Sequence, residues 1–176
     1  RRLIPGKPGE SLLLQKPVMT IPHGGGPRFK SHSPEHGVLA QWIAAGAPGP
    51  SPRDPAMTRL DVFPARVRLR PGQTHQVLVR AVFADGRTED VTRWVKFGTA
   101  DENVAAVSDD GLVTVKGSGE AAITVWYLNQ VAFAQVTSPF PRRLPESVFA
   151  TVPRRNFIDD EVVAKLRELR LAPATM

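Results

Sequence analysis

The placement of proline constrains this chain more than any other feature. Of its 17 prolines, only Pro64 and Pro71 fall between residues 59 and 138. Proline cannot donate a ladder hydrogen bond and is excluded from strand interiors. That interval is therefore the long stretch free to build a sheet. The run AGAPGPSPRDPAMT before it and PFPRRLPESVFATVPRR after it read as linkers.

Inside the interval the apolar residues alternate. THQVLVRAVF sets Val77, Val79, Ala81 and Phe83 on one face. Asp85-Gly86 supplies a hairpin-type turn, because Gly adopts positive φ at no steric cost. NVAAVS, DDG and LVTVKG give strand, turn and strand, and EAAITVWYL pairs with QVAFAQVTS around Leu128-Asn129-Gln130. Short strands punctuated by turn signals predict a mainly β fold, a sandwich or barrel of about seven strands. The expected core comprises Val77, Val79, Phe83, Val91, Phe97, Val104, Val107, Val113, Ile123, Val125, Val131 and Phe133.

Each flank carries a helix signal. Ser33 as N-cap, Pro34 at the first helical position and Gly46 beyond the end predict a helix over 34–45, with Val38, Leu39, Trp42 and Ile43 on one face. A second helix is predicted over 159–170, with an apolar stripe of Ile158, Val162, Leu166 and Leu169. A lone helix of that length is marginal in water. Its stripe calls for a partner surface, in this chain or in a further domain attached to it.

Without cysteine, the chain offers no disulfide, thiolate metal site, catalytic Cys or covalent haem-attachment motif. No apolar run is long enough to span a bilayer. The net charge of +6 invites a nucleic-acid reading, but residues 56–138 hold nine basic and nine acidic residues. The excess lies in the flanks, where Arg142-Arg143 and Arg154-Arg155 sit among prolines without aromatic stacking partners. We read these as solvated linker charge and expect no nucleic-acid partner. The chain begins Arg1-Arg2-Leu3 without an initiator Met, as a piece of a longer protein would.

The middle resembles the bacterial Ig-like domain of group 2 over roughly 58–138. The residues that carry the likeness are Pro64, Gly72, Asp85-Gly86, Asp90-Val91-Thr92, Asp101 through Val107, Gly111-Leu112-Val113 and Gly119 through Ile123. Phe97 stands where many members have Trp. The resemblance implies an Ig-like β-sandwich with short helical flanking segments. PGKPGESLLLQKP, HGGGPRF and LAQWIAAGAP look like the C-terminal half of a cytochrome-c-like domain found in large exported planctomycete proteins. NFIDDEVVAKLRELRLAP looks like the start of the uncharacterised domain that succeeds the Ig-like module there. The implied order is a cytochrome-c-like part (1–47), a linker (48–57), the Ig-like domain (58–138), a Pro/Arg-rich linker (139–156) and the start of a helical domain (157–176).

Two groups of residues are candidates for a site. If the first flank is cytochrome-like, the resemblance makes His23 or Met19 the distal ligand of a haem c attached upstream, since imidazole nitrogen and thioether sulfur both ligate haem iron. The plain alternative is that Gly24-Gly25-Gly26 merely turn the chain and His23 caps the bend. Trp126 and Tyr127 are adjacent on a strand, so one of them faces outward as a candidate ligand-binding aromatic. His32 and His36 are four apart, but Ser33-Pro34 starts the helix between them, so no metal site is expected there. Asp101-Glu102 and Asp109-Asp110 supply too few oxygens for calcium and suit turns. No nucleophile constellation stands out around His75, and Trp42 and Trp94 are expected to pack. The sequence thus points to a non-enzymatic structural or interaction module of an exported protein, periplasmic or at the cell surface. Its partners would be neighbouring domains, a surface protein or a polysaccharide. The alternatives are part of a haem electron-transfer protein and an accessory carbohydrate-binding module of a hydrolase.

Overall fold

The computed structural model describes residues 1–174. The chain divides into two compact units, Arg1–Asp54 and Pro55–Met176.

The first unit is built on α1 (Leu12–Gln15) and α2 (Pro34–Ala44), preceded by a 3-10 turn at Pro8–Glu10. Its small core holds Leu14 and Ile43, both essentially inaccessible. Ser11 is buried with them, and its Oγ accepts a hydrogen bond from Ile4 N at 2.9 Å. Ser33 caps α2 by accepting from His36 N, and the chain leaves the helix through Gly46 at φ 90. Val38 and Trp42 are more exposed than the predicted face implies. The Trp42 indole instead turns to Pro48 and donates to its carbonyl at 3.0 Å.

The second unit is an Ig-like β-sandwich. Its strands are β1 (Met57–Phe63), β2 (Arg66–Arg68), β3 (Thr74–Gln76), β4 (Leu78–Phe83), β5 (Thr88–Asp90), β6 (Lys96–Thr99), β7 (Ala105–Val107), β8 (Leu112–Val115), β9 (Gly119–Tyr127) and β10 (Gln130–Ser138). They form three sheets ordered β1-β4-β5, β2-β10-β9-β6 and β3-β8-β7. Ten segments arise where about seven strands are expected partly because single runs are broken. Thr74–Phe83 changes sheet at Val77, and Met57–Arg68 changes sheet at Pro64, from antiparallel pairing with β4 to parallel pairing with β10. One core joins all three sheets, centred on Val77, Val79, Val91, Val113, Ile123, Val125 and Val136.

Two expected core residues are not in it. Val131 and Phe133 are 62% and 68% exposed. Directly opposed residues of an antiparallel pair share a face. Ala132 lies opposite Val125 and Ala134 opposite Ile123, both fully buried, so the alanines take the inner positions. The bulkier Val131 and Phe133 are left outside. Phe83, Phe97 and Val107 are only partly buried and pack against the margin of the core.

Beyond the sandwich come α3 (Ser147–Ala150) and α4 (Phe157–Leu169). Asn156 and Asp159 form a capping box at the start of α4. This helix lies against the sandwich through Lys165, whose Nζ is 2.6 Å from Glu120 Oε2, and through Phe140 N donating to Leu169 O at 3.0 Å. Its buried residue is Val163, with Leu166 and Leu169 half-buried. Ile158 and Val162, expected on the packed stripe, are exposed. No helix among the described residues is long and apolar enough to cross a membrane.

Candidate binding face

The outward face of the β2-β10-β9-β6 sheet is the most distinctive surface of the sandwich. Cross-strand register sets Lys96, Trp126 and Val131 in one row and Gly98, Thr124 and Phe133 in the next. Gly98 has a steric reason to be glycine. A Cβ there would come within 2.9 Å of the Trp126 ring, so the indole lies down across the strand rather than standing off it. Trp126 (42% exposed), Val131 and Phe133 thus form an apolar strip, with Leu128 at the hairpin tip 79% exposed. Phe133 also borders a shallow groove of about 470 Å³ with Leu60, Phe63, Ala65 and Ala132. Exposed apolar residues clustered on one face, rather than scattered singly, mark contact surfaces.

Tyr127 is on the opposite side of β9. It is half-buried against the core, where burial and then the Glu89 charge push its hydroxyl pKa up. Trp126 therefore belongs to the outward strip and Tyr127 to the packing beneath it. Size alone assigns Val131 and Phe133 to the core. The signal that places them outside is the pairing of Val131 with Trp126, which only the register of the hairpin reveals.

His23 and Met19 lie in the first unit. His23 lines a cleft of about 420 Å³ with Leu3, Leu12, Leu13 and Pro17, flanked by Arg2 and Lys16. Its Nδ1 is buried with no hydrogen-bond partner among the described residues, and its Nε2 lies over Gly25, 2.7 Å from where a Cβ would be. Met19 sits at φ 60, is 39% exposed and is not among the residues lining that cleft. His32 and His36 approach with ring centroids 5.9 Å apart, but no group of three potential metal-ligating side chains occurs among the described residues. The acidic turns close on themselves. Asp101 Oδ1 accepts from Asn103 N at 2.9 Å, and Asp110 accepts from the Ser108 hydroxyl.

Residues 56–137 match the bacterial Ig-like domain (group 2). Residues within that match, among those that carry the sequence resemblance, have visible structural work here. Asp90 Oδ1 accepts from Thr92 N, and Thr92 Oγ1 accepts from Val79 N at 2.8 Å, tying the segment after β5 to β4. A stretch of 71 residues, 40% of this chain, is 32% identical to Ice-binding protein 1 of Shewanella frigidimarina (strain NCIMB 400), of which it spans 8%. Among solved structures, the S-layer protein rSbsC aligns with half of this chain and 14% of its own at 17% identity and a TM-score of 0.42. A second structure of that S-layer protein, covering domains 1–6, aligns over the same shares at a TM-score of 0.40. This chain therefore spans only a small part of each relative.

Proposed function

We propose that this chain is a non-enzymatic Ig-like structural and interaction module of a large exported protein, working in the periplasm or at the cell surface. It spaces neighbouring domains and holds a surface partner, protein or polysaccharide, against the outward strip of Trp126, Val131 and Phe133. That exposed apolar strip on a regular sandwich carries the proposal. The Ig-like match, and a local likeness to a protein named for binding ice, support a binding or spacing role. An Ig-like sandwich by itself hosts many functions, so the face must be tested directly. The 176-residue chain and its Trp126→Ala/Phe133→Ala variant would be compared for binding to isolated cell envelopes and to a glycan array. Retention by wild type and at least a tenfold loss in the variant is the expected result. Equal binding by both proteins would sink the proposed face. Fractionation of the producing cells checks the location, and cytoplasmic recovery would contradict export.

One observation favours a second reading, in which the first unit belongs to a haem-c protein. An imidazole with an unpartnered buried nitrogen beside leucine and proline walls suits the edge of an apolar cofactor, and of the two candidate ligands His23 is the one on that cleft. In this reading His23 would hold the iron and the leucines would exclude water. Bound haem would supply one-electron transfer. An absorption spectrum of the parent protein tests it. A Soret band altered by His23→Ala and unmoved by Met19→Ala is expected, and a parent without haem would end the idea.

A further inference from the structure

We propose that the second unit carries an anion-binding cleft, separate from the apolar strip, that takes a linear acidic polysaccharide. The cleft measures about 890 Å³ and is lined by Arg68, Arg70, Arg143 and Arg170 together with apolar and polar neighbours. The four arginines come from three distant segments: the end of β2 and the loop after it, the Pro/Arg-rich stretch, and the C-cap of α4. Charge counted along the sequence conceals them. Residues 56–138 are neutral in sum, but their acids fall largely on the β4–β5 hairpin and the 101–110 turns, whereas Arg68 and Arg70 face the flank that brings Arg143 and Arg170.

The backbone around the cleft is pinned. Leu69 N donates to Thr137 O at 3.0 Å, Gly72 N to Val115 O at 2.8 Å and Arg70 N to Gln73 Oε1 at 2.8 Å. Phe140 N donates to Leu169 O, which fixes the Pro139–Arg143 stretch beside the helix end. No carboxylate among the described residues pairs with these guanidinium groups. Among the described residues, the acids within three positions of the lining are Glu120, Glu146 and Glu168. Lys165 holds both Glu120 and Glu168, and Arg167 holds Glu146. Among the described residues, Arg68 donates only to a main-chain carbonyl, Glu168 O, at 3.3 Å. Arg70, Arg143 and Arg170 enter no ion pair among the described residues. Four guanidinium groups around one concavity, with no carboxylate partner among the described residues, focus a positive field there. Their planar forks match the paired oxygens of sulfate and carboxylate.

The remaining lining selects among polyanions. It contains no aromatic ring on which a nucleobase could stack. Leu69, Pro71, Pro139 and Pro141 instead give a stiff apolar wall for the C–H face of a sugar ring, and Gln73 brings a carboxamide to meet a hydroxyl. At about 890 Å³ the cleft holds far more than one small oxyanion, which favours a chain of them.

Heparin, which bears sulfate and carboxylate, and polygalacturonate, which bears carboxylate alone, are the probes, titrated against the 176-residue chain at several salt concentrations. Arg70 and Arg143 are exposed, so Arg70→Gln/Arg143→Gln is expected to keep the fold, checked by circular dichroism. Lys30→Gln/Lys116→Gln removes the same charge elsewhere, at exposed positions outside both proposed sites. The expected result is salt-sensitive binding to heparin, to polygalacturonate or to both, weakened about tenfold or more by the arginine pair. The lysine pair should weaken it less than about twofold, as long-range charge alone would. Trp126→Ala should leave it unchanged, which separates this cleft from the apolar strip. Binding to neither polymer at low salt, or equal weakening by both double variants, overturns the proposal. Single-stranded DNA bound as tightly as heparin, with the same dependence on Arg70 and Arg143, overturns the polysaccharide assignment.

Discussion

Thr92 is 7% exposed, and its Oγ1 accepts from Val79 N inside the sandwich. Replacing it by the isosteric valine leaves that amide buried without a partner, which costs about 1–3 kcal/mol. Urea unfolding of Thr92→Val should show a lower midpoint with an unchanged slope; an unchanged midpoint would mean that the amide finds another acceptor. Gly111 makes a comparable demand through shape. It sits at φ 84, and a Cβ would come within 2.8 Å of both Phe97 Cζ and Val77 O. We expect Gly111→Ala to cost about 1–3 kcal/mol, with the same assay as check, and a loss below the error of that assay would count against the packing described. Both residues lie in the stretches of sequence that carry the Ig-like resemblance. Their neighbours are not, because Thr92 meets Val79 and Gly111 meets Phe97 only once non-adjacent strands have paired.

Two elements show where pattern alone loses the phase. In β10 the alternation of apolar residues is unmistakable, but both of its faces carry apolar side chains. Size favours Val131 and Phe133 as inward, while the register against Val125 and Ile123 gives those positions to Ala132 and Ala134. In α4 the stripe Ile158, Val162, Leu166, Leu169 competes with one through Val163. Docking through Lys165 to Glu120 turns Val163 inward and leaves Val162 50% exposed. Burial rather than hydrophobicity should therefore decide the mutational response. Val136→Ala and Val163→Ala each remove buried carbon and are expected to cost about 2 kcal/mol. Phe133→Thr and Val162→Ala should stay within about 0.5 kcal/mol of wild type. Thermal or urea unfolding of the four variants decides it: a penalty for Val162→Ala larger than that for Val163→Ala would reverse the helix face. Strand existence, the turns at Asp85-Gly86 and Asp109 to Gly111, and the α2 cap are legible in the sequence because they depend on neighbours along the chain. The outward strip and the arginine cleft are not, because each is assembled from residues far apart in the chain.

At the scale of the molecule, several carboxylates in the second unit share one direction of shift. Hydrogen bonds from the Thr92 side chain and backbone hold Asp90 below its ordinary value near 3.8. The Ser108 hydroxyl does the same for Asp110. At Glu120 burial pushes the pKa up, but hydrogen bonds from Lys165, Gln135 and Thr137 and the Lys165 charge outweigh it, so the group lies below its ordinary 4.5. A carboxylate with a depressed folded-state pKa binds fewer protons when folded than when unfolded. Its contribution is complete above the unfolded value and is lost as pH falls through the folded one. Lys165 is shifted upward by hydrogen bonds to Glu120 and Glu168, so its contribution is complete below 10.5 and is lost as pH rises through its folded value. These groups are largely solvent-exposed, which keeps each effect small. Protonating acids also raises a net charge that is already +6, adding self-repulsion on the acid side. The melting temperature should therefore be nearly level from about pH 5 to 8 and fall as pH drops below about 4. Comparing Asp90→Asn/Glu120→Gln with wild type isolates the specific part. The variant should be less stable at neutral pH and show a shallower acid decline, so that the two curves converge at low pH. Parallel curves would assign the acid loss to net charge alone and remove Asp90 and Glu120 from the account.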